Sequence, residues 1–415
     1  MSFSELLLPP VLCQLLEKLG YETPTPVQNK VIPKVLKGCD LRVSAPTGTG
    51  KTAAFMLPAL TALSRPSMIK GSGPRVLILV PTRELAIQVA SQATKYSKNS
   101  KQIKTLCIYG GVPYRDQLRD LRNKYEIIVA TPGRLIDHLE QGRIHLSRVE
   151  MFILDEADRM LDMGFSEPVN QIADAITTEH QTLLFSATLK GNVLSLSQRL
   201  LKNPLEIVVQ ADREELLNID QRLHYVDNIQ HKHKILLHLL ANSEIEQAIV
   251  FTSTKRLAEE LAMTLIKTGY SAAALHGDKN QRQRTQTIDR LRKGFVKILI
   301  ATDVASRGID IKNISHVINF DMPKESEDYI HRIGRTGRAG AVGKALSFAT
   351  YREQSMIYSI EKLTGQKMTC DVIPTLEPKQ KSESKPRRFA PKTTPHKIPS
   401  GRKKPFKPFK KGNRG

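Results

Sequence analysis

The chain has 415 residues, an apolar share of 40% and a formal net charge of +22 at pH 7, which suits two ordinary globular domains with an anionic polymer as partner. Its four cysteines, at positions 13, 39, 107 and 370, form no CxxC pair, which disfavours a zinc site or a disulfide framework. No apolar run approaches the ~18 residues of a membrane span, and the first residues lack the basic start of a signal peptide. We therefore expect a cytoplasmic protein without membrane contact.

The first strand-like run, Leu41–Val43, leads into the glycine-rich loop Ala45–Thr52 and then into a helix-like stretch. The loop departs from the phosphate-binding pattern GxxxxGK[ST] only at its first position, where alanine still permits a tight turn. Its amides are expected to cradle NTP phosphates, with Lys51 at the β and γ oxygens and Thr52 on Mg²⁺. Alone, such a loop is also compatible with an ordinary strand–helix turn.

Short apolar runs then alternate with longer amphipathic stretches, which predicts βαβ units and a mostly parallel sheet. Polar turns bearing glycine or arginine follow the strands, at the carboxyl ends where open α/β sheets bind ligands. The strands expected in this first block are Val76–Val80, Ile127–Ala130, Met151–Leu154 and Leu183–Ser186.

An acidic tetrad, Asp155-Glu156-Ala157-Asp158, follows the run Met151–Leu154. Carboxylates at a strand end are commonly caps of the next helix. Paired with a phosphate loop, they favour metal-assisted NTP hydrolysis, in which Asp155 holds Mg²⁺ and Glu156 orients or deprotonates water.

The strand–helix rhythm returns in a second block, so two α/β domains are expected. The two blocks and the polar stretch between them predict a first domain over 1–209, a linker over 210–218, a second domain over 219–373 and a tail over 374–415. Strands of the second block are expected at Ala248–Thr252, Ile298–Ala301 and His316–Phe320. The turn Gly334–Arg338 carries two arginines that are candidates to stabilise charge on a γ-phosphate from the opposite domain.

The tail is strongly basic. From Pro378 to Gly415 the sequence has 14 Lys or Arg against one Glu, which accounts for +13 of the +22 charge. Such a composition predicts disorder. Two interpretations stay open, an electrostatic arm that captures RNA or an unselective solvated extension.

Taken in order, these segments resemble the motifs of the DEAD-box RNA helicases over nearly the whole chain before the tail. The matching segments are Phe3 with Gly20–Gln28, Ala45–Thr52, Pro81–Ala86, Gly110–Gly111, Thr131–Arg134, Asp155–Asp158, Ser186–Thr188, Val250–Thr252, Gln281–Arg282, Ala301–Asp310 and His331–Arg338.

The resemblance implies two RecA-like domains that close over ATP, Mg²⁺ and a single RNA strand. Gln28 would then read the adenine, with Phe3 and Tyr21 nearby, and Asp310 would meet the ribose. The nucleotide loop comprises Ala45, Pro46, Thr47, Gly48, Thr49, Gly50, Lys51 and Thr52. Further residues implied for catalysis and coupling are Arg335 and Arg338 at the γ-phosphate, and Ser186 and Thr188 as the link from Asp158 to the interdomain cleft.

The RNA backbone is expected to contact both domains, with little sequence preference, and 2′-OH contacts would favour RNA over DNA. The residues implied are Arg83, Gly111, Thr131 and Arg134 in the first domain, and Thr252, Arg282 and Thr302 in the second.

Longer matches, Ser44–Ala54 and Ile153–Phe165 among them, resemble the bacterial SrmB/RhlE-like branch. That branch implies work on ribosomal RNA and with ribosomal proteins during large-subunit assembly; the oligomeric state is left open. One alternative is a DNA translocase, which shares the loop and arginines but lacks the Gln28 segment and the acidic tetrad. A non-enzymatic RNA clamp is the other, and it predicts damage to Lys51, Glu156 or Arg338, all of which are intact.

Overall fold

A computed structural model describes residues 2–46, 48–100, 102–209, 218–242, 245–306, 314–337 and 343–379. The first sheet has seven strands: β1 (Leu41–Ser44), β2 (Val76–Leu79), β3 (Thr105–Ile108), β4 (Ile127–Ala130), β5 (Met151–Leu154), β6 (Gln181–Ser186) and β7 (Leu205–Val208). Its helices are α1 (Pro10–Lys18), α2 (Pro26–Leu36), α3 (Lys51–Leu63), α4 (Arg83–Tyr96), α5 (Tyr114–Leu121), α6 (Pro132–Glu140), α7 (Ala157–Asp162), α8 (Ser166–Asp174) and α9 (Asn192–Leu200), preceded by a 3₁₀ turn at Phe3–Leu6.

The second sheet also has seven strands: β8 (Ile219–Tyr225), β9 (Ala248–Phe251), β10 (Ala272–Leu275), β11 (Ile298–Ala301), β12 (His316–Asn319), β13 (Gly343–Ala349) and β14 (Thr369–Cys370). Its helices are α10 (Ile229–Asn242), α11 (Lys255–Lys267), α12 (Gln281–Arg292), α13 (Asp303–Ser306), α14 (Ser326–Ile333) and α15 (Gln354–Thr364), with a 3₁₀ turn at Tyr351–Glu353.

All strand pairs in the first sheet are parallel, in the order β3-β4-β2-β5-β6-β1-β7. Along β2, Val76 and Ile78 enter the core on one face, while Leu77 and Leu79 enter the core on the other. Burial on both faces explains why β2, β4 and β5 read as continuous apolar runs in the sequence.

The second sheet is parallel as well, in the order β10-β11-β9-β12-β13-β8-β14. Val250 of β9 and Ile300 of β11 lie in one core, and their neighbours Ile249 and Leu299 lie in another. Helix α11 covers the first of these faces through Leu261, and α12 covers the opposite face. The predicted α/β class with two helix-flanked parallel sheets is confirmed.

Strands β3, β7, β8, β10, β13 and β14 were not expected from the sequence. Those at sheet edges bury only part of their length; β7, for example, buries only Ile207 of its four residues. Strand β10 begins with three alanines, and β8 carries Asp220 and Arg222. Such strands lack the apolar run that marks the central ones.

The predicted linker and tail fall largely outside the described residues. Of 210–218, only Asn218 is described, and its carbonyl accepts from the amide of Gly343 at 3.0 Å. The tail was expected from residue 374, but contacts continue to Lys379. Leu376 packs on the second domain's core, and the Lys379 amide donates to Asp227 Oδ2 at 3.0 Å. Within the described ranges, no helix has the length and hydropathy needed to cross a bilayer.

The sheet order brings the first domain's candidate residues together. Strands β5, β6 and β1 are neighbours, so Asp155, Ser186 and the loop that starts at Ala45 follow adjacent strand ends. In the second sheet β11 and β9 are neighbours, which places Thr302 beside Thr252.

Candidate active site

The phosphate loop joins the end of β1 to the start of α3. Gly48 and Gly50 have φ angles of 88° and 89°, in the left-handed region that glycine adopts without strain. Lys51 begins α3; it is buried, and its Nζ donates to the carbonyl of Ala45 at 2.8 Å. The loop thus curls around a helix N-terminus, an arrangement suited to binding phosphate anions.

The remaining loop residues support this shape. Thr49 Oγ1 donates to the carbonyl of Pro46 at 2.9 Å, which closes the turn before Lys51. Thr52 lies half-buried in the first turn of α3, directly after Lys51. Thr47 lies outside the described residues.

The acidic tetrad lies at the buried end of β5. Asp155 is 3% exposed, and burial raises its pKa to about 6 against the opposing effect of the Lys51 ammonium. A cation beside this carboxylate would remove that cost of ionisation. Only β6 separates β5 from β1 in the sheet, and the Lys51 charge acts on Asp155, so the phosphate loop and the tetrad lie together at one edge of the sheet.

Glu156 adopts an unusual backbone conformation, with φ 55° and ψ 50°. A non-glycine residue in this region stores strain, typical of positions whose geometry serves a function. Its Oε2 accepts from Arg159 Nη1 at 2.9 Å. Burial alone would raise the pKa of Glu156, but Arg159, Lys51 and Arg335 outweigh burial and hold it below its usual value. Glu156 is therefore a fixed, ionised carboxylate.

Arg335 belongs to the second domain, so its effect on Glu156 is exerted across the cleft. It follows α14 and is buried, and its Nε donates to the carbonyl of His331 at 3.3 Å. Arg332, one turn earlier, anchors α14 through two bonds to the Asp303 carboxylate at 2.6 and 2.7 Å. Arg338 and Asp310, both candidates from the sequence, lie outside the described residues.

The last residue of the tetrad contacts the segment after β6. Asp158 Oδ2 accepts from the amide of Ala187 at 3.0 Å. Ser186 and Thr188, which the sequence proposed for this link, bond to each other instead, through Ser186 Oγ and the Thr188 amide at 3.3 Å. The link therefore runs through the backbone of Ala187 in this conformation.

Gln28 connects the N-terminal segment to the phosphate loop. Its Oε1 accepts from the Thr25 amide at 3.0 Å as part of a capping box, and its Nε2 donates to the Gly50 carbonyl at 3.2 Å. Phe3 is buried in the first domain's core, and Tyr21 is packed against the edge of that core. These two rings support the segment that carries Gln28.

The segments at Arg83, Gly111 and Arg134 follow β2, β3 and β4 at the same edge of the first sheet, where they come together. Gly111 has φ 81°, and a Cβ at this position would overlap the guanidinium of Arg83. Arg134 donates to the Val112 carbonyl at 3.1 Å and stacks on the Tyr114 ring at 4.1 Å. Arg134 thus braces the turn at Gly111 from inside, an arrangement that was not apparent from the sequence.

Thr131 begins α6 as its N-cap and is 8% exposed. In the second domain Thr252 and Thr302 are also buried, whereas Arg282 is exposed at the start of α12. The hydroxyls of Thr131, Thr252 and Thr302 could therefore contact an RNA backbone only where the RNA lies directly on the strand ends.

The two domains meet directly through a buried ion pair. Arg284 Nε lies 2.7 Å from Glu84 Oε1, with both side chains 9% exposed, and Gln281 Nε2 lies 3.4 Å from the same oxygen. Arg284 also donates to the carbonyls of His276 and Ala305. The sequence pointed to Gln281 and Arg282. The residues that contact Glu84 are instead Gln281 and Arg284, whose i, i+3 spacing places both on one face of α12.

Two protein-family models match this chain, one in each domain. Residues 25–196 match the model of the DEAD/DEAH box helicase family, and residues 231–340 match that of the helicase conserved C-terminal domain. The chain is 42% identical to the ATP-dependent RNA helicase SrmB of Haemophilus influenzae, over 92% of this chain and 87% of that protein. It is 44% identical to the ATP-dependent RNA helicase DeaD of Mycobacterium tuberculosis, over 91% of this chain and 66% of that protein.

Among solved structures, Saccharomyces cerevisiae Dbp5 bound to RNA and ADP BeF3 matches with a TM-score of 0.78 at 30% identity. The match covers 89% of this chain and 95% of that one. A DEAD box protein from Methanococcus jannaschii is 39% identical over 90% of this chain and 99% of that one, with a TM-score of 0.50. Dbp5 thus has the higher TM-score, although its sequence is less similar to this chain than that of the Methanococcus jannaschii protein.

Proposed function

This chain belongs to the DEAD-box family of ATP-dependent RNA helicases, and on that premise we propose that it separates short RNA duplexes or remodels ribonucleoprotein during assembly of the large ribosomal subunit. The chain is an RNA-dependent ATPase by family membership. The proposal concerns the residues that perform each step and the RNA on which they act.

One observation carries the mechanism: the buried Arg335 of the second domain acts electrostatically on the buried Glu156 of the first domain, as Lys51 does. Its charge helps to lower the pKa of Glu156. A phosphate loop, a water-activating carboxylate and an arginine from the opposite domain are the parts that phosphoryl transfer requires. They meet only when the domains close, so hydrolysis is tied to closure.

Lys51 holds the β and γ oxygens of ATP, exchanging the Ala45 carbonyl for phosphate, and Glu156 takes the proton of the attacking water. Arg335 stabilises charge that develops on the γ-phosphate, and Arg338 shares that role. Thr52 and Asp155 supply hard oxygen ligands, which suit Mg²⁺, and the ion when bound neutralises phosphate charge.

At the base end of the nucleotide, the Gln28 amide reads adenine while keeping its bond to Gly50, so base recognition is transmitted to the phosphate loop. Phe3 and Tyr21 support that segment, and Asp310 binds the ribose. The Asp158–Ala187 bond passes the state of the nucleotide towards the segment Ser186–Thr188.

RNA lies across both domains and is held by its backbone, so recognition carries little sequence preference. The residues proposed for these contacts are Arg83, Gly111, Thr131, Arg134, Thr252, Arg282 and Thr302. Arg134 also braces the Gly111 turn through its bond to the Val112 carbonyl. The arrangement of the two domains supports this proposal. By TM-score, the structure resembles Dbp5 bound to RNA and ADP BeF3 more than it resembles the Methanococcus jannaschii protein, whose sequence is more similar.

A duplex assay tests the proposed action on RNA. With ATP, the wild-type protein should separate a short RNA duplex and fail on a long one of the same composition, because bending acts locally. Lys51→Ala should separate neither. Separation of both duplexes with equal efficiency would indicate translocation along the strand and contradict the proposal.

The likeness to SrmB over most of both chains supports the ribosomal proposal, under which the protein acts in the cytoplasm with ribosomal RNA and ribosomal proteins. Depleting the protein in its host should accumulate precursors of the large subunit, and crosslinking should recover ribosomal RNA. Glu156→Gln should fail to rescue. A normal ribosome profile after depletion would contradict this assignment without affecting the ATPase.

A further inference from the structure

A groove of about 850 Å³ lies between the two domains and is lined by none of the phosphate-loop residues. The turn at Gly111 and Pro113 forms its first-domain wall, and α12 with the two residues Lys293 and Phe295 forms its second-domain wall. The groove therefore borders Gly111, a residue proposed to contact RNA, and runs beside α12, which carries none of the residues proposed to bind the nucleotide.

The second-domain wall is a single face of α12. Arg282, Gln286, Arg290 and Lys293 line the groove at spacings of four, four and three residues, which places them in one stripe. The 12 residues of the helix give this stripe a length of roughly 18 Å. Ile288 points the other way, into the core. The stripe is thus a solvent-facing surface.

This surface is cationic. Arg282, Arg290 and Lys293 are all exposed, and none makes an ion pair with another residue in the described parts of the chain. The acid in the groove, Asp289, has its Oδ1 3.9 Å from Arg292 Nη1. Three unpaired cations along one wall favour a ligand with regularly spaced negative charge.

Phe295 adds an aromatic surface at the far end of the groove. Its side chain is 66% exposed, whereas Phe251 and Phe320 of the same domain are fully buried. It lies two residues after Lys293, in the turn between α12 and β11. Cations that follow a phosphate backbone, combined with an exposed ring, are the features with which proteins hold single-stranded nucleic acid.

We propose that this groove is an additional contact surface for single-stranded RNA, which holds the unpaired stretch that leaves the core path at Gly111. Arg290 and Lys293 bind its phosphates, and Phe295 stacks on a base without sequence preference. The inference rests on the proposed function, because it extends the RNA that the closed domains hold.

The test uses the full chain with a non-hydrolysable ATP analogue and single-stranded oligouridylates of increasing length, with binding followed by fluorescence anisotropy. Wild-type affinity should rise once the RNA is long enough to enter the groove. Phe295→Ala should weaken binding of long RNA by about fivefold or more and leave short RNA unaffected. Phe295→Leu should behave in the same way, and Phe295→Tyr should bind as wild type.

The charges are tested separately. Arg290→Gln/Lys293→Gln should reduce the salt slope of long-RNA binding by about 1.4, at ~0.7 for each phosphate contact. Lys267→Gln and Met263→Ala on α11 are matched controls, because α11 covers the opposite face of the same sheet. Both controls should bind like wild type at every length.

Long-RNA binding unchanged in the groove variants would overturn the inference, and so would an equal loss at every length, since that places the effect in the core path. Hydrolysis by wild type with the shortest RNA distinguishes the two levels. If short RNA stimulates hydrolysis but the groove variants behave as wild type, only the inference fails. If no RNA stimulates wild type, the proposed function itself is contradicted.

Discussion

Breaking the ion pair between Glu84 and Arg284 is expected to prevent domain closure without unfolding either domain. Both side chains are 9% exposed and their charged atoms are 2.7 Å apart. Removing one partner from a buried pair costs about 3–5 kcal/mol, because the other charge stays buried and unpaired. When the domains separate, water solvates both groups, so this cost falls on closure alone.

We expect Glu84→Gln and Arg284→Gln each to weaken RNA binding in the presence of a non-hydrolysable ATP analogue by about 100-fold or more, as ~3 kcal/mol implies. The double variant should lose less than the sum of the single losses, with a coupling of about 1–3 kcal/mol. Arg284 keeps its bonds to the carbonyls of His276 and Ala305, which belong to its own domain. Thermal unfolding should therefore change little.

Asp174→Asn provides the matched control. Asp174 pairs with Arg199 at 2.9 Å, but the two side chains are 67% and 50% exposed, and such surface pairs contribute about 0–1 kcal/mol. Its RNA binding should equal that of wild type. If the losses of the two single variants add within ~0.5 kcal/mol, the pair is not coupled on closure and the reasoning is refuted.

Four further outcomes are expected. Glu156→Gln should bind ATP and RNA yet turn over at least about 100-fold more slowly, and undiminished turnover would show that another group activates water. Gly111→Ala should displace Arg83, weaken RNA binding and lower the unfolding free energy by about 1–2 kcal/mol, since φ is 81°; tolerance of the methyl group in both assays would exclude this packing. Burial, followed by the Lys344 charge, lowers the pKa of His316 to about 4, so the unfolded chain binds the proton first as the pH falls below ~6.5. The unfolding free energy should therefore drop by about 2 kcal/mol between pH 7.5 and 5, and His316→Gln should lack this part of the pH dependence. Removing 378–415 should preserve hydrolysis but raise the RNA concentration required and flatten its salt dependence, whereas an unchanged RNA requirement would show that these 14 cations are idle.

The positions in the fold that can be predicted most directly from the sequence are those set by local patterns. Lys51 and Asp155 sit in short motifs that follow strands β1 and β5, and β5 is a continuous apolar run because both of its faces are covered. Their adjacency depends on the order of β5, β6 and β1, which no local pattern contains.

What the sequence did not indicate are partners brought together by tertiary contacts. Arg284 finds Glu84 from the other domain, 200 positions away, and Arg134 finds Tyr114 and the Val112 carbonyl from a preceding turn. Arg159 is closer, three residues after Glu156 on α7, and that spacing was visible. Its pairing with Glu156 rather than with solvent depends on burial, which only the fold determines.

Steady-state ATP hydrolysis by the full chain tests the central claim most directly, measured alone, with single-stranded RNA and with single-stranded DNA at equal phosphate concentration. Hydrolysis should be strongly stimulated by RNA, hardly at all by DNA, and lost in Lys51→Ala. Equal stimulation by both polymers, or hydrolysis that persists without Lys51, would contradict the account.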